Sequence, residues 1–293
     1  MATANRFEHA LSLSEDLSLA VHAAQKAGEI IREGATKLEP SAPNIERKGI
    51  GDLVSAVDRD ADLAATEVLK ASSDLPILSE ELYCDVTDQE DLWIIDPLDA
   101  SSAFLMQAGP EYPSVLVALR RDNETVLGVT YFPLRDDWYY AIRGRGAWKN
   151  GKRLVCDRTE KLHDVWVEMN QYGSSSLETD YFRNLNARLR SEDGACLVTS
   201  NVPHAGVAMR IADSSTSLAA AIHDNNPESV KQGPWDIAAN QVILEEAGGV
   251  FLNPEGKRSN PFVCEPIIVA RSKEIGQVIV ELGSPELVSE KKP

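Results

Sequence analysis

The chain has 293 residues, 43% of them hydrophobic, which is enough for one large or two ordinary folded units with a real core. Its formal net charge of −17 opposes nucleic acid or an anionic membrane surface as a partner, since both need a basic face. No apolar run approaches the ~18 residues of a membrane span, Met1 to Glu8 is polar, and Cys84, Cys156, Cys196 and Cys264 form no CxxC pair. These features lead us to expect a reducing, cytoplasmic compartment and no zinc knuckle.

Leu13 to Glu33 carries an amphipathic helical pattern, with Leu17, Val21, Ala24, Gly28 and Ile31 at three- and four-residue spacings. Gly34 is the expected stop. A second helix is predicted over Asp58 to Ala71, with Asp58 as its N-cap and Ala61, Ala65, Val68 and Leu69 inward. Leu75 to Leu78 reads as a short strand that runs into Ser79-Glu80-Glu81.

Leu92-Trp93-Ile94-Ile95 is a short apolar run, the pattern of a buried strand. Asp96 follows, held extended by Pro97, which favours a tight turn. Asp99 is thereby expected to fold back toward Asp96, with the Leu98 carbonyl between them. Ser101 and Ser102 suit the start of a helix. Two carboxylates, a carbonyl and a helix N-terminus then share one small volume. Hard oxygen ligands of this kind suit Mg²⁺, and a helix N-terminus suits phosphate. The plainer reading is that Asp96 and Asp99 merely cap a helix.

Beyond Phe104 the texture turns to β. Strands are predicted at Ser114 to Arg120, Val126 to Phe132 and Trp138 to Ile142, with turns at Arg121 to Glu124 and at Asn150-Gly151. A domain change is expected near residue 155, giving an N-terminal α+β part (1–155) and a C-terminal α/β part (156–293). In the second part, strands at Val165 to Met169, Cys196 to Thr199 and Ser217 to Ile222 alternate with helices at Asp180 to Leu189 and Ala205 to Ile211. A helix follows from Trp235 to Ala247, ended by Gly248-Gly249, then strands at Val250 to Leu252 and Pro266 to Ala270 and a helix from Lys273 to Glu281. Asp236 lies in the first turn of its helix, where a carboxylate commonly answers the helix dipole.

Two long motifs now stand in order: Trp93-Ile94-Ile95-Asp96-Pro97-Leu98-Asp99, and Trp235-Asp236 followed by Ala238-Ala239 and Glu246-Ala247-Gly248-Gly249. Asp52-Leu53-Val54-Ser55-Ala56-Val57-Asp58 and Leu78-Ser79-Glu80-Glu81 support them. With these motifs the chain resembles the inositol monophosphatase superfamily of metal-dependent, lithium-sensitive phosphatases over about residues 13 to 282. The resemblance implies a layered αβαβα sandwich, an α+β or α/β fold like that of inositol monophosphatase and fructose-1,6-bisphosphatase. It implies Glu80, Asp96, Asp99 and Asp236 as metal carboxylates, with the Leu98 carbonyl as a further ligand. Ser101 and its acidic partner Asp58 would be the catalytic pair, and the backbone N–H groups of Ala100 and Ser101 would hold the substrate phosphate. Glu81 would stand behind the ligands, and Lys48 is set aside because its spacing to Asp52 is one residue short. A Mg²⁺ cofactor, a small phosphorylated substrate and a homodimer are also implied.

Two departures bear on activity. Ala100 replaces the family's usual glycine, so the turn should have an ordinary backbone there or be slightly strained. Asn201 to Gly206 replaces a Gly-Ser-Ala type segment, leaving His204 as either a substrate-hydroxyl contact or a surface residue at a helix start. The expected reaction is hydrolysis of a phosphate monoester, with an inositol monophosphate placed ahead of 3′(2′),5′-bisphosphate nucleotides, histidinol phosphate and fructose 1,6-bisphosphate. A catalytically weak regulatory or binding relative is the non-enzyme alternative. A calcium-binding loop at Asp58 to Asp62 lacks the glycine and glutamate that an EF-hand requires.

Overall fold

The computed structural model describes residues 7–38, 46–47, 53–54, 56–82, 88–156, 161–170, 180–190, 196–200, 204–224 and 233–283. The first elements are α1 (Glu8–Leu11), α2 (Glu15–Lys37), β1 (Glu46–Arg47), β2 (Leu53–Val54) and α3 (Ala56–Lys70). Next come β3 (Ile77–Ser79), β4 (Leu92–Asp99), α4 (Ser101–Leu105), β5 (Ser114–Arg121), β6 (Glu124–Phe132), β7 (Asp137–Ile142), β8 (Gly146–Lys149) and β9 (Lys152–Leu154). The remainder is β10 (Trp166–Asn170), α5 (Asp180–Leu189), β11 (Cys196–Ser200), α6 (His204–Ala212), β12 (Leu218–His223), α7 (Pro234–Ala247), β13 (Val250–Leu252), β14 (Ile267–Ala270) and α8 (Lys273–Gly283).

Two sheets carry the fold. One has seven strands in the order β3-β4-β5-β6-β7-β8-β9, and the other has five in the order β11-β10-β12-β14-β13. In the larger sheet only the β3–β4 pair is parallel, and the rest is an antiparallel meander. Alternation along its strands sends side chains to opposite faces. On one face Trp93, Ile95, Val115, Val117 and Val129 pack against the inner residues of α2 and α3. On the other, Ile94, Leu116 and Ala118 pack against α6 and α7. The same α6–α7 layer also meets Ala221, Phe251, Ile267 and Val269 of the five-stranded sheet. The outer face of that sheet is covered by Phe182 and Leu185 of α5 and Ile275 and Ile279 of α8. The layers therefore run helix, sheet, helix, sheet, helix, the αβαβα order expected.

Local chemistry accounts for most element ends. Ser14 accepts the Leu17 N–H at 3.0 Å and starts α2. Asp122-Asn123 and Asn150-Gly151 have positive φ throughout, 48° and 66° in the first pair and 50° and 79° in the second, as two-residue hairpin turns between twisted strands require. Gly34 does not stop α2, which continues to Lys37. A Cβ on Gly34 would come within 2.7 Å of Val57 Cγ2, so this glycine serves the close approach of α3. β8 and β9 were not expected from the sequence, which shows only the turn between them.

The central motif also differs from expectation. β4 does not end at Ile95 but runs through Asp99. Asp96 pairs with Leu116 and Asp99 with Ser114, so three steps on β4 oppose two on β5. The extra residue is a bulge. Pro97 has no N–H to give the ladder, and a bulge is one of the few places inside a sheet that accepts it. Asp99 is thus set beside Asp96 by a bulged strand, not by a reverse turn. Asp58 is not an N-cap either, because α3 begins at Ala56 and places it in the first turn. Lys48, Asp52 and Asn201 to Pro203 lie outside the described residues.

Candidate active site

β4 and the start of α7 meet between the sheets. One carboxylate oxygen from each of Asp96, Asp99 and Asp236 lies within 4.8 Å of the others. Asp96 and Asp99 are 1% and 6% exposed, deep enough that three charges without a counter-ion would be costly. Asp96 Oδ1 accepts the Leu98 N–H at 3.1 Å, and its Oδ2 is buried with no hydrogen-bond partner among the described residues. Asp99 Oδ2 accepts from Ser114 Oγ at 3.1 Å. Asp236 Oδ2 turns back to the Gly233 N–H at 2.8 Å, so one oxygen fixes the helix start. The dipole role expected for Asp236 therefore coexists with its place in the cluster.

Burial pushes the Asp96 carboxyl well above the usual carboxylate range, and the charges of Glu80, Asp99 and Asp236 push it further. Asp236 is raised in the same way, first by desolvation of its carboxyl and then by Glu80 and Asp99. Some of its residue surface remains open, while the carboxylate end is the part withdrawn from water. Glu80 is outside the trio at 4.8 Å spacing, yet it is close enough for its charge to act on two of its members.

This donor set fits a hard divalent cation. Ligand oxygens on one octahedral Mg²⁺ stand about 3–4 Å apart, given ion–oxygen distances near 2.1 Å. The observed limit of 4.8 Å is wider than that range, so the three side chains would have to draw in around an ion, and Asp96 Oδ2, with no partner among the described residues, is an available ligand atom.

Ser101 Oγ bonds to Asp58 Oδ1 and, at 2.9 Å, to the Leu98 carbonyl. Asp58 is 1% exposed. Among the described residues the Ser101 hydroxyl makes these two bonds and none to a helix N–H, and the N-cap position of α4 is Ala100, with no side-chain cap. Ala100 sits at φ 71° and ψ 38°, the left-handed region, so its backbone is strained and not ordinary. Ala100 and Ser101, whose amides were expected to hold the phosphate, stand at the start of α4. His204 opens α6.

Three residues of the site carried no signal used in the sequence analysis. Asp62 is fully buried, and its Oδ2 accepts the Glu81 and Leu82 N–H groups at 3.1 and 3.2 Å, which fixes the turn next to Glu80. Its spacing of four from Asp58 on one helix face was the available hint. Ser114 braces Asp99, as above. Asn240 donates to the Asp236 carbonyl at 3.0 Å, and its Oδ1 accepts from Thr130 Oγ1 at 2.8 Å, tying the first turn of α7 to β6.

The sequence profile described as "Inositol monophosphatase family" matches residues 12–283. A "Fructose-1,6-bisphosphatase/inositol-1-monophosphatase" of Aquifex aeolicus is 32% identical over 82% of this chain and 86% of its own length. A protein named "Nus factor SuhB" of Haemophilus influenzae is 30% identical over 80% of this chain and 83% of its own. Among solved structures, the extragenic suppressor protein suhB of Bartonella henselae superposes with a TM-score of 0.77 at 24% identity, covering 93% of this chain and 99% of that one. An IMPase/NADP phosphatase complexed with Mg²⁺ and phosphate gives 0.74 at 21% identity, covering 92% and 95%. A profile match over nearly the whole chain, on a fold whose layers bring the two motif-bearing segments together, places this chain in the inositol monophosphatase family.

Proposed function

We propose that the chain is a Mg²⁺-dependent phosphomonoesterase, with an inositol monophosphate as its substrate. The observation that carries this reading is the convergence of Asp96 and Asp99 from β4 with Asp236 from α7, together with an Asp96 oxygen that has no partner among the described residues. Asp96, Asp99, Asp236, Glu80 and the Leu98 carbonyl would hold the metal. When bound, Mg²⁺ would offset the charge of the ester dianion and make water a better nucleophile.

The chain's own groups supply the proton path and the phosphate cradle. Ser101 has one hydroxyl proton and two acceptors, the Leu98 carbonyl and a carboxyl oxygen of Asp58. With that proton on the Asp58 side, the Ser101 oxygen presents a lone pair to an attacking water. A proton can pass from water to Ser101 and from Ser101 to Asp58 in one sequence. Ala100 in the left-handed region followed by a helical Ser101 turns successive N–H groups to one side, an arrangement suited to an anion. Lithium inhibition, a homodimer and a cytoplasmic location belong to the same proposal. No helix among the described residues is long and apolar enough to cross a membrane. The net charge of −17 supports a small-molecule partner over nucleic acid.

A second reading, a weakly catalytic regulator, has the strained Ala100 and the relatives named "Nus factor SuhB" in its favour. One panel separates them: phosphate release from inositol 1-phosphate, 3′-phosphoadenosine 5′-phosphate, histidinol phosphate and fructose 1,6-bisphosphate at saturating Mg²⁺. The proposal expects the highest kcat/KM with inositol 1-phosphate. Preference for another ester would overturn the substrate, and no release from any of them would favour the regulator.

A further inference from the structure

We infer that Asp62 is a positioning residue of the metal site: it holds the turn that carries Glu80, and so decides whether a fourth carboxylate joins Asp96, Asp99 and Asp236. The inference rests on the metal reading proposed above and names a group on which the affinity of that site depends.

Three of the four proposed ligand carboxylates stand on regular structure, Asp96 and Asp99 on β4 and Asp236 in the first turn of α7. Glu80 does not. It begins a turn directly after β3, a strand of only three residues. Glu80 is half-buried, whereas Asp96 and Asp99 are buried, yet its charge acts on Asp96 and Asp236. Backbone outside helices and sheets moves more readily than the elements it joins, so a ligand on a turn needs the turn held.

Two anchors hold this one. On one side the Glu80 N–H donates to the carbonyl of Ile95, the residue before Asp96, at 3.3 Å. On the other, the Glu81 and Leu82 N–H groups donate to a single oxygen, Asp62 Oδ2, at 3.1 and 3.2 Å. Asp62 is itself fixed. It is 0% exposed on α3, whose Ala61, Ala65 and Leu69 are buried in the core beneath β4. Asp58 lies four residues earlier, on the same helix face, and bonds Ser101. One rigid helix thus reaches both the Ser101 hydroxyl and the Glu80 turn. An Asp62 that only stabilised the fold would lower the melting temperature when removed and leave the metal affinity of the folded chain unchanged, which is where the two roles part.

The test is a calorimetric titration of the full-length chain with Mg²⁺. Asp62→Ala leaves all four ligand carboxylates unaltered, and it should weaken binding about 10–100-fold, the usual cost of removing a group that orients a metal ligand. Asp62→Asn, whose amide oxygen can accept both N–H groups, should stay within about threefold of the wild type. In a Glu80→Gln background, Asp62→Ala should cost less than about twofold more, because a residue acting through Glu80 has nothing left to position. In the wild type, saturating Mg²⁺ should slow hydrogen exchange of the Glu81 and Leu82 amides about 10–100-fold, since opening the turn forfeits the same affinity. Thermal melts check folding, and if Asp62→Ala does not fold, the exchange measurement decides. Equal Mg²⁺ affinity in the wild type and Asp62→Ala, Asp62→Asn binding as weakly as Asp62→Ala, an undiminished loss in the Glu80→Gln background, or exchange indifferent to Mg²⁺ would overturn the positioning role. A wild-type chain that binds no Mg²⁺ would instead overturn the metal reading beneath it.

Discussion

At the residue scale, the Ser101–Asp58 contact separates catalysis from capping. Ser101 spends its hydroxyl on Asp58 and the Leu98 carbonyl and caps nothing. Removing it should therefore cost turnover more than stability. Ser101→Ala and Asp58→Asn should each lower kcat about 10²–10⁴-fold, the usual size of a proton-transfer contribution. The double variant should be little worse than either single one, because residues acting as a unit are not additive. Strictly multiplicative losses would mean that the two act separately. Ala100 gives the opposite kind of prediction. A left-handed alanine costs energy that glycine does not, so Ala100→Gly should raise stability by about 0.5–1 kcal/mol after the entropy that glycine loses on folding. Urea melts measure it, and a loss of stability would contradict the strained backbone.

At the scale of elements, the site depends on how closely α7 can approach β6. A Cβ on Gly128 would stand 2.6 Å from the Ala239 carbonyl oxygen, which is backbone and cannot swing away. Gly128→Ala should therefore push α7 off the sheet and cost about 1–3 kcal/mol as an overpacking change. Because Asp236 rides on that helix, the same variant should bind Mg²⁺ more weakly. A melt combined with a Mg²⁺ titration checks both, and unchanged metal affinity in a destabilised protein would separate helix position from the site. The same contrast explains what could be read from the chain. Asn150-Gly151 and the apolar run from Leu92 act through neighbours a few residues away, so their consequences were legible, whereas the helix expected from Leu13 starts at Glu15, behind a Ser14 cap that the sequence analysis did not name. The Asp-Pro-Leu-Asp segment was legible as a carboxylate pair but not as a bulge, because the bulge depends on where Ser114 and Leu116 sit in the partner strand. Asp62, Ser114 and Asn240 were missed for the same reason: each is defined by a partner that folding brings close. Gly34 looked like a stop because a glycine's role in packing against Val57 leaves no local trace.

At the scale of the whole molecule, an acidic protein gathers carboxylates where their own repulsion resists them, and a bound cation would relieve it. Asp96 and Asp236 have raised pKa values in the absence of metal. A carboxyl raised on folding binds more protons folded than unfolded, so its contribution to stability falls as pH rises from the ordinary value through the raised one. The metal-free chain should lose stability on this account from about pH 4 upward. Mg²⁺ competes with those protons, so the rise in Tm on adding it should be larger at about pH 8 than at about pH 5. An equal rise at both would place the ion elsewhere. The most direct measurement of the central claim is phosphate release from inositol 1-phosphate by the wild-type chain and by Asp236→Asn, in chelator and across a Mg²⁺ titration. The account predicts no wild-type turnover in chelator, full recovery with Mg²⁺, and recovery in Asp236→Asn that is far smaller and needs more Mg²⁺. Undiminished turnover in chelator, or an Asp236→Asn titration identical to the wild type, would contradict it.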